Sequence, residues 1–171
     1  MGITIHFEGK LKDEGSFNKV MTSSREFADE QGWPYSDISE EEVTLQRVKG
    51  EEDWNYVGPT RGVEIQPHDN SEPLRLEFDK DLYIQEYVKT QFAPQEVHIL
   101  ITKLLKSFEP EFSSIEVIDE GEYYETGDDS VLNNHREKFF ETLDEYLAQE
   151  DKYYGPIRLE NGRIVDVMEK E

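Results

Sequence analysis

Adjacent histidine and aspartate residues are the first candidates for chemistry in this sequence. His68 precedes Asp69, and Asp79 and Asp81 are separated by one residue, which puts both carboxylates on one side of an extended backbone. Such a pair can bind Mg²⁺ or Ca²⁺, or separate its two pKa values for acid–base work. The four residues therefore define a hypothetical metal-assisted hydrolase site. Turn-forming neighbours and the lack of a third ligand nearby favour plain turns at both places.

Two further histidines lie on predicted elements. His6 is on the polar face of the first predicted strand, and His98 lies beside the apolar stripe of a predicted helix. An isolated histidine in such a place is more often structural than a ligand. We expect both to be surface or boundary residues.

The most distinctive segment is 119–129, which combines six acidic groups with two tyrosines. It belongs to a stretch, 107–135, with nine Asp or Glu and no Lys or Arg, and a second such stretch, 26–46, has seven acidic residues. Carboxylates within a Debye length of about 8 Å repel one another unless they are solvated, bound to cations or met by a basic partner. Exposed Tyr and Trp side chains beside them make good contact residues.

The predicted binding residues are Trp54, Tyr56, Asp119, Glu120, Glu122, Tyr123, Tyr124, Glu125, Asp128 and Asp129. The alternative is that the aromatic residues belong to the core of short strands. Because side chains alternate along a strand, that alternative accounts for one ring of the Tyr123–Tyr124 pair and leaves the other outside.

Strong catalytic motifs are absent from the sequence. It contains no cysteine, which removes disulfides, thiolate nucleophiles and cysteine zinc sites. It also contains no HExxH, P-loop, GxGxxG, GxSxG or EF-hand spacing. We therefore expect no cofactor and no metal, and we rank catalysis last among the functions considered.

The elements that must position these residues follow from apolar spacing. Alternation predicts a strand over 3–11, and a helical stripe begins near Ser16, the expected N-cap, and stops at Gly32. A β-meander follows between Thr44 and Phe78, with a break at Gly58-Pro59, while 82–88 fits either a strand or a helical turn.

The second half of the chain predicts two more helices and short strands. Pro94 begins a helix that Pro110 ends, and a third helix begins near Asp129. Residues 115–118 form a strand, with Tyr123-Tyr124 as its partner. Asn161-Gly162 predicts a C-terminal hairpin with a type I′ turn.

This order predicts a single α+β domain over 1–171. Its fold is an antiparallel, curved β-sheet of about six strands, covered on one face by two or three helices, in the order β-α-β4-α-β2-α-β2. The C-terminal hairpin, about 156–168, is part of the domain.

The charge is unusual and limits the partners. Forty Asp and Glu against eighteen Lys and Arg give a net charge of -22 at pH 7. Such a field repels nucleic acid and anionic membranes and favours basic proteins or cations, although acidity also serves solubility alone. The sequence begins without a signal-peptide pattern and has no membrane-length apolar run, so we expect a cytoplasmic protein. The oligomeric state stays open.

Three functions fit these observations. The first is a non-catalytic interaction protein that masks a basic partner surface, as an immunity protein or a nucleic-acid mimic would. The second is a small-ligand or cation-binding domain with a pocket between the sheet and the second helix. The third is the metal-assisted hydrolase built on His68, Asp69, Asp79 and Asp81.

Overall fold

The computed structural model describes residues 2–171 and confirms the α+β class with antiparallel sheets. Its strands are, in chain order, β1 (Thr4–Leu11), β2 (Tyr35–Leu45), β3 (Val48–Lys49), β4 (Glu52–Asp53), β5 (Tyr56–Ile65), β6 (Leu74–Phe78), β7 (Tyr83–Lys89), β8 (Phe112–Asp119), β9 (Tyr153–Tyr154), β10 (Ile157–Arg158), β11 (Ile164–Val165) and β12 (Met168–Glu169). Its helices are α1 (Glu14–Gln31), α2 (Gln95–Ser107), α3 (Tyr123–Thr126) and α4 (Asp129–Leu147), with a 3₁₀ turn at Glu109–Glu111.

Two three-stranded antiparallel sheets form the frame of the molecule. One has the order β7-β1-β8 and the other the order β2-β5-β6. The strands β6 and β7 follow one another, but the backbone bonds between them join the end residues of β7 to residues outside β6: Asp79 N–H donates to the Tyr83 carbonyl and Glu72 N–H to the Lys89 carbonyl. The expected single sheet is thus divided between β6 and β7.

Alternation along the strands separates a core face from an open face. Ile5 and Phe7 of β1 are buried, whereas His6 between them is exposed. Helices α1 and α2 cover the core face, with Val20 and Ile101 in the same apolar cluster as the strand residues. Helix α4 packs in a second cluster with Ile3 at the start of β1. Within residues 2–171, no helix residue lines the depression on the opposite face of β7-β1-β8.

Local sequence explains where the helices begin and end. Helix α1 is capped by Asp13, whose carboxylate accepts the Ser16 N–H at 2.8 Å, so the prediction of Ser16 as N-cap was wrong by one turn. Gly32 ends α1 in the left-handed conformation, as predicted, with φ 70°. Asp128 caps α4 and begins it where the sequence indicated.

Two predicted turns differ in the structure. Strand β5 runs through Gly58-Pro59 because the two residues Glu41 and Glu42 of β2 face Pro59 in a bulge, where its missing N–H is not needed. At the C-terminal hairpin, Asn161 does not have the positive φ that a type I′ turn requires. Gly162, the next residue, has a positive φ of 85° instead.

Candidate functional site

The predicted binding segment 119–129 does not form one surface. Asp119 is 5% exposed, so its carboxylate lies inside the protein, and its binding role stays a prediction. Its carboxylate accepts the N–H groups of Gly121 at 2.8 Å and Tyr124 at 2.9 Å. These bonds turn the chain after β8 into the helix α3, so the expected strand at Tyr123-Tyr124 is wrong.

A fully buried histidine completes this turn. His98 has no exposed surface and pairs with Asp119 at 2.9 Å, while its Nδ1 lies 2.6 Å from Thr90 Oγ1. Its expected place at the surface or boundary was therefore wrong. Burial opposes ionisation of Asp119, but hydrogen bonds from His98 and the two backbone N–H groups hold its pKa below the ordinary value.

The Thr90–His98–Asp119 cluster has the residue types of a hydrolytic triad. Thr90, His98 and Asp119 are 0%, 0% and 5% exposed, and all their bonds run within the protein. A substrate cannot reach such a hydroxyl without opening the core. The cluster is a structural link between β7, α2 and β8.

The other acidic residues of the segment have separate environments. Glu120 faces the open side of the sheet, and Asp128 caps α4. Glu122 pairs with His135, and Glu125 and Asp129 are exposed.

The two tyrosines of the segment are half-buried. Tyr123 packs with the α4 cluster. Tyr124 packs against the main core and donates its hydroxyl proton to Glu109. Their binding role stays a prediction, because each ring already has internal contacts.

Trp54 and Tyr56 surround a guanidinium of the chain itself. The Arg47 Cζ atom lies 5.6 Å from the Trp54 ring centroid and 5.3 Å from that of Tyr56. Arg47 is buried and donates to Asp79 at 2.8 Å and to the Tyr83 carbonyl at 3.2 Å. The two aromatic residues therefore anchor the β3–β4 hairpin, and Trp54 keeps 37% of its surface exposed.

The predicted binding residues fall into two groups, Trp54 with Tyr56 and the segment 119–129, and these groups lie at opposite ends of β1. Tyr83, which packs on Trp54, is opposite Lys10, and Asp119 is opposite Ile5. These positions are five residues apart along the strand, which corresponds to about 17 Å. A single small contact area cannot contain both groups.

The residues of the hydrolase hypothesis are also separated. His68 accepts the Asn70 N–H at 3.0 Å in a turn before β6, whereas Asp79 follows β6 and pairs with Arg47. Strand β6 separates the two by about 17 Å. Asp79 also accepts the Asp81 N–H at 2.8 Å, so the carboxylates form a turn and not a ligand pair. Within residues 2–171, no three His, Asp or Glu side chains are placed to hold a metal ion.

The open face of β7-β1-β8 contains the best candidate site, a depression of about 780 Å³. Strand register places Tyr87, His6 and Ile118 in one row across its floor. The neighbouring row is Gln85, Glu8 and Glu116. The walls come from the end of β2, the following loop and the tip of the C-terminal hairpin. The space expected between sheet and α2 is filled by the core instead.

The two carboxylates of the second row have one basic residue, Lys10, two positions from Glu8 on the same face of β1. Glu8 and Glu116 are direct cross-strand neighbours, which ordinarily places their Cβ atoms about 4.5–5.5 Å apart. Neither takes part in an ion pair within the described chain. Glu8 accepts a hydrogen bond from the neutral side-chain amide of Gln85. Directly opposed like charges repel one another across a sheet, which makes these two carboxylates the part of the floor that a cationic group would favour.

The other carboxylates around the depression are already paired. A hydrogen bond from His6 and the Thr4 N–H at 2.8 Å together hold the pKa of Glu120 below its ordinary value, against the effect of partial burial. Burial raises the pKa of Glu86, although Arg163 donates to it at 2.8 Å and opposes the rise. Of the four carboxylates that line the depression, Glu8 and Glu116 are the two without an ion-pair partner within residues 2–171.

Sequence reasoning missed the floor of this site. Alternation did place His6 and Glu8 on the polar face of β1, which was the available signal. It could not show that β7 and β8 flank β1, because both pairings join residues far apart in the chain. The sequence therefore did not indicate that Glu116 and Ile118 lie beside Glu8 and His6.

Comparisons with known proteins add no assignment: no family model, curated protein or solved structure matches the chain. Among the described residues, none of the helices has the length and apolar character needed to cross a membrane.

Proposed function

We propose that this chain is a non-catalytic interaction protein of the cytoplasm that masks a basic surface of a partner protein. The observation that carries the proposal is the uncovered face of β7-β1-β8, whose depression presents Glu8 and Glu116, neither of which forms an ion pair within residues 2–171. An immunity protein and a nucleic-acid mimic are concrete forms of such a function.

The physical argument combines shape with charge. Tyr87 is 38% exposed and Ile118 57% exposed, so apolar surface lies beside the carboxylates. A partner that covers them gains from burial of these side chains and from relief of the Glu8–Glu116 repulsion. The net charge of -22 steers basic molecules towards the protein at low salt.

The experiment is an NMR titration with a short peptide rich in arginine and lysine, and with its glutamate counterpart as the control. We expect the basic peptide to shift the backbone signals of β1, β7 and β8, with binding that weakens steeply as salt increases. Absence of binding at low salt, or equal shifts with the acidic peptide, would refute the proposal.

The volume of the depression supports a second candidate, a small cationic ligand. About 780 Å³ lies within the range of about 300–1,000 Å³ that is usual for small-molecule sites. A thermal-shift screen with diamines and guanidino compounds tests this candidate. Stabilisation by a free amine at low concentration would favour it over a protein partner.

A further inference from the structure

Strands β2 and β8 each form the outer edge of a three-stranded sheet. Backbone groups along a free edge can pair with another chain, so folded proteins ordinarily block such edges with charged side chains or bulges. Strand β2 has both devices, since it carries four acidic residues over 37–42 and is bulged there. Strand β8 keeps a regular register from Ser114 to Asp119, and Glu116 is its one exposed charge in this run. The edge of β2 is thus blocked, whereas the edge of β8 is open.

The outward backbone groups of β8 follow from its register with β1. The Glu120 N–H donates to the Thr4 carbonyl at 3.0 Å, which identifies the even-numbered residues of β8 as those that bond to β1. The N–H and carbonyl groups of Ile115 and Val117 therefore point away from β1. Within residues 2–171 these groups have no hydrogen-bond partner, and no strand lies on that side of β8. They are available to an added strand.

The side chains of β8 indicate the chemistry of such a strand. Ile115 and Val117 are half-buried at the rim of the main apolar cluster, so apolar side chains beside them would cover their remaining surface. Glu116 and Ile118 alternate with them and are exposed on the open face. A long basic side chain beside Glu116 would pair with its carboxylate and pack its stem on Ile118.

Charge favours a basic partner over a second copy of this chain at the edge. The stretch 107–135, which includes β8, has nine acidic residues and no Lys or Arg, so pairing of two copies through β8 would bring these charges together. Basic residues near the open face belong to other elements: Lys10 to β1, Arg75 to β6 and Arg163 to the C-terminal hairpin. The two arginines are already paired with carboxylates.

We infer that the free edge of β8 binds an extended segment of the basic partner, which adds an antiparallel strand to the sheet β7-β1-β8 through the backbone groups of Ile115 and Val117. Apolar side chains of the segment lie beside these two residues, and basic side chains alternate with them on the side of Glu116. The inference rests on the proposed function for the charge of the partner and adds the way in which the partner binds.

The test uses a short peptide in which Val or Thr alternates with Lys, and two N-methylated forms of it. One form is methylated at the Val and Thr residues, whose N–H groups would face β8, and the other equally often at the Lys residues, whose N–H groups would face away. We expect the unmodified peptide to slow amide exchange at Ile115 and Val117. Methylation at Val and Thr should weaken binding about tenfold or more, and methylation at Lys by less than about threefold.

Matched proline variants test the same bonds from the side of the protein. Val117→Pro removes an outward N–H and leaves the bonds to β1 in place. Ser39→Pro makes the same change on the edge of β2, where the bond from the Gln66 N–H to the Pro34 carbonyl identifies Ser39 as outward. We expect about tenfold weaker peptide binding for Val117→Pro and a change within about twofold for Ser39→Pro. If Val117→Pro fails to fold, the two methylated peptides still decide the question on the wild-type protein.

The outcomes separate this inference from the proposed function. Equal binding of the two methylated peptides, or a greater loss from methylation at Lys, overturns the added strand while a basic partner remains supported. Equal binding of a peptide with Glu in place of Lys overturns the basic segment. A free protein that is dimeric, with Ile115 and Val117 protected from exchange, would place a second copy on this edge and overturn the inference too. Failure of every basic peptide to bind at low salt overturns the proposed function itself.

Discussion

At the scale of single residues, a histidine paired with a carboxylate has two different roles in this protein. His98 and Asp119 form a pair with side chains that are 0% exposed, whereas His135 and Glu122 pair on the surface. Removal of one partner from a buried pair leaves an uncompensated group without water, but an exposed pair exchanges its contact for solvent. Burial therefore decides which histidine the fold depends on.

The first prediction compares these histidines directly. His98→Ala should lower the free energy of unfolding by about 3–5 kcal/mol, because Asp119 loses its partner and a cavity opens. His135→Ala should change it by no more than about 0.5 kcal/mol. Urea unfolding followed by far-UV circular dichroism measures both. Similar losses for the two variants would contradict the structural role of His98.

The second prediction concerns Asp119 and pH. Since its folded pKa lies below the unfolded value, its charge contributes stability at neutral pH, and this contribution is lost as pH falls below about 4. The stability gap between wild type and Asp119→Asn should therefore be largest at neutral pH and shrink in acid. Unfolding free energies across this range measure it. Glu125→Gln is the control, and a gap that widens in acid would refute the assignment.

At the scale of elements, one arginine ties the β3–β4 hairpin to the sheets. Arg47 bonds to Asp79 beyond β6, and Gln85 of β7 bonds both the N–H and the carbonyl of Val48, at 2.9 and 2.8 Å. These bonds hold the loop that forms one wall of the depression. The hairpin itself is exposed, so its position depends on this anchor.

The third prediction tests that anchor. Arg47→Lys keeps the charge but loses the fork that reaches Asp79 and the Tyr83 carbonyl together, so Trp54 should become more exposed. In a Trp33→Phe background, tryptophan emission should shift to the red, and the Val48 amide should exchange faster. Arg61→Lys is the control, since Arg61 pairs with Glu14 at an exposed site. An unchanged spectrum for Arg47→Lys would show that the anchor is not needed.

Local patterns predicted the helices well and the connections poorly. Helices α1, α2 and α4 follow apolar stripes that are visible in the sequence, although the N-cap of α1 is Asp13 and not the predicted Ser16. The helix α3 depends on Asp119 accepting the Tyr124 N–H, and the course of β5 through Pro59 depends on a bulge in β2. Both features depend on tertiary contacts, which local sequence patterns do not show. The cross-strand position of Glu8 opposite Glu116 depends on tertiary contacts in the same way.

At the scale of the whole molecule, the net negative charge has opposite effects on folding stability and on the binding of a basic partner. Forty acidic against eighteen basic residues leave a surplus that internal ion pairs cannot neutralise. Self-repulsion of this surplus destabilises the folded chain, while the same field attracts a basic partner. Binding of a basic partner should therefore reduce the charge repulsion that destabilises the free protein.

The fourth prediction follows from this opposition. Increasing sodium chloride from about 0.01 M to about 0.15 M shortens the Debye length from about 30 to about 8 Å, so repulsion among the carboxylates weakens. The melting temperature of the free protein should rise while its affinity for a basic peptide falls. Choline chloride at equal ionic strength should act equally if screening is the cause, whereas sodium-specific stabilisation would indicate a bound ion. A melting temperature that stays flat or falls with salt would show that the acidic surface carries no net repulsion.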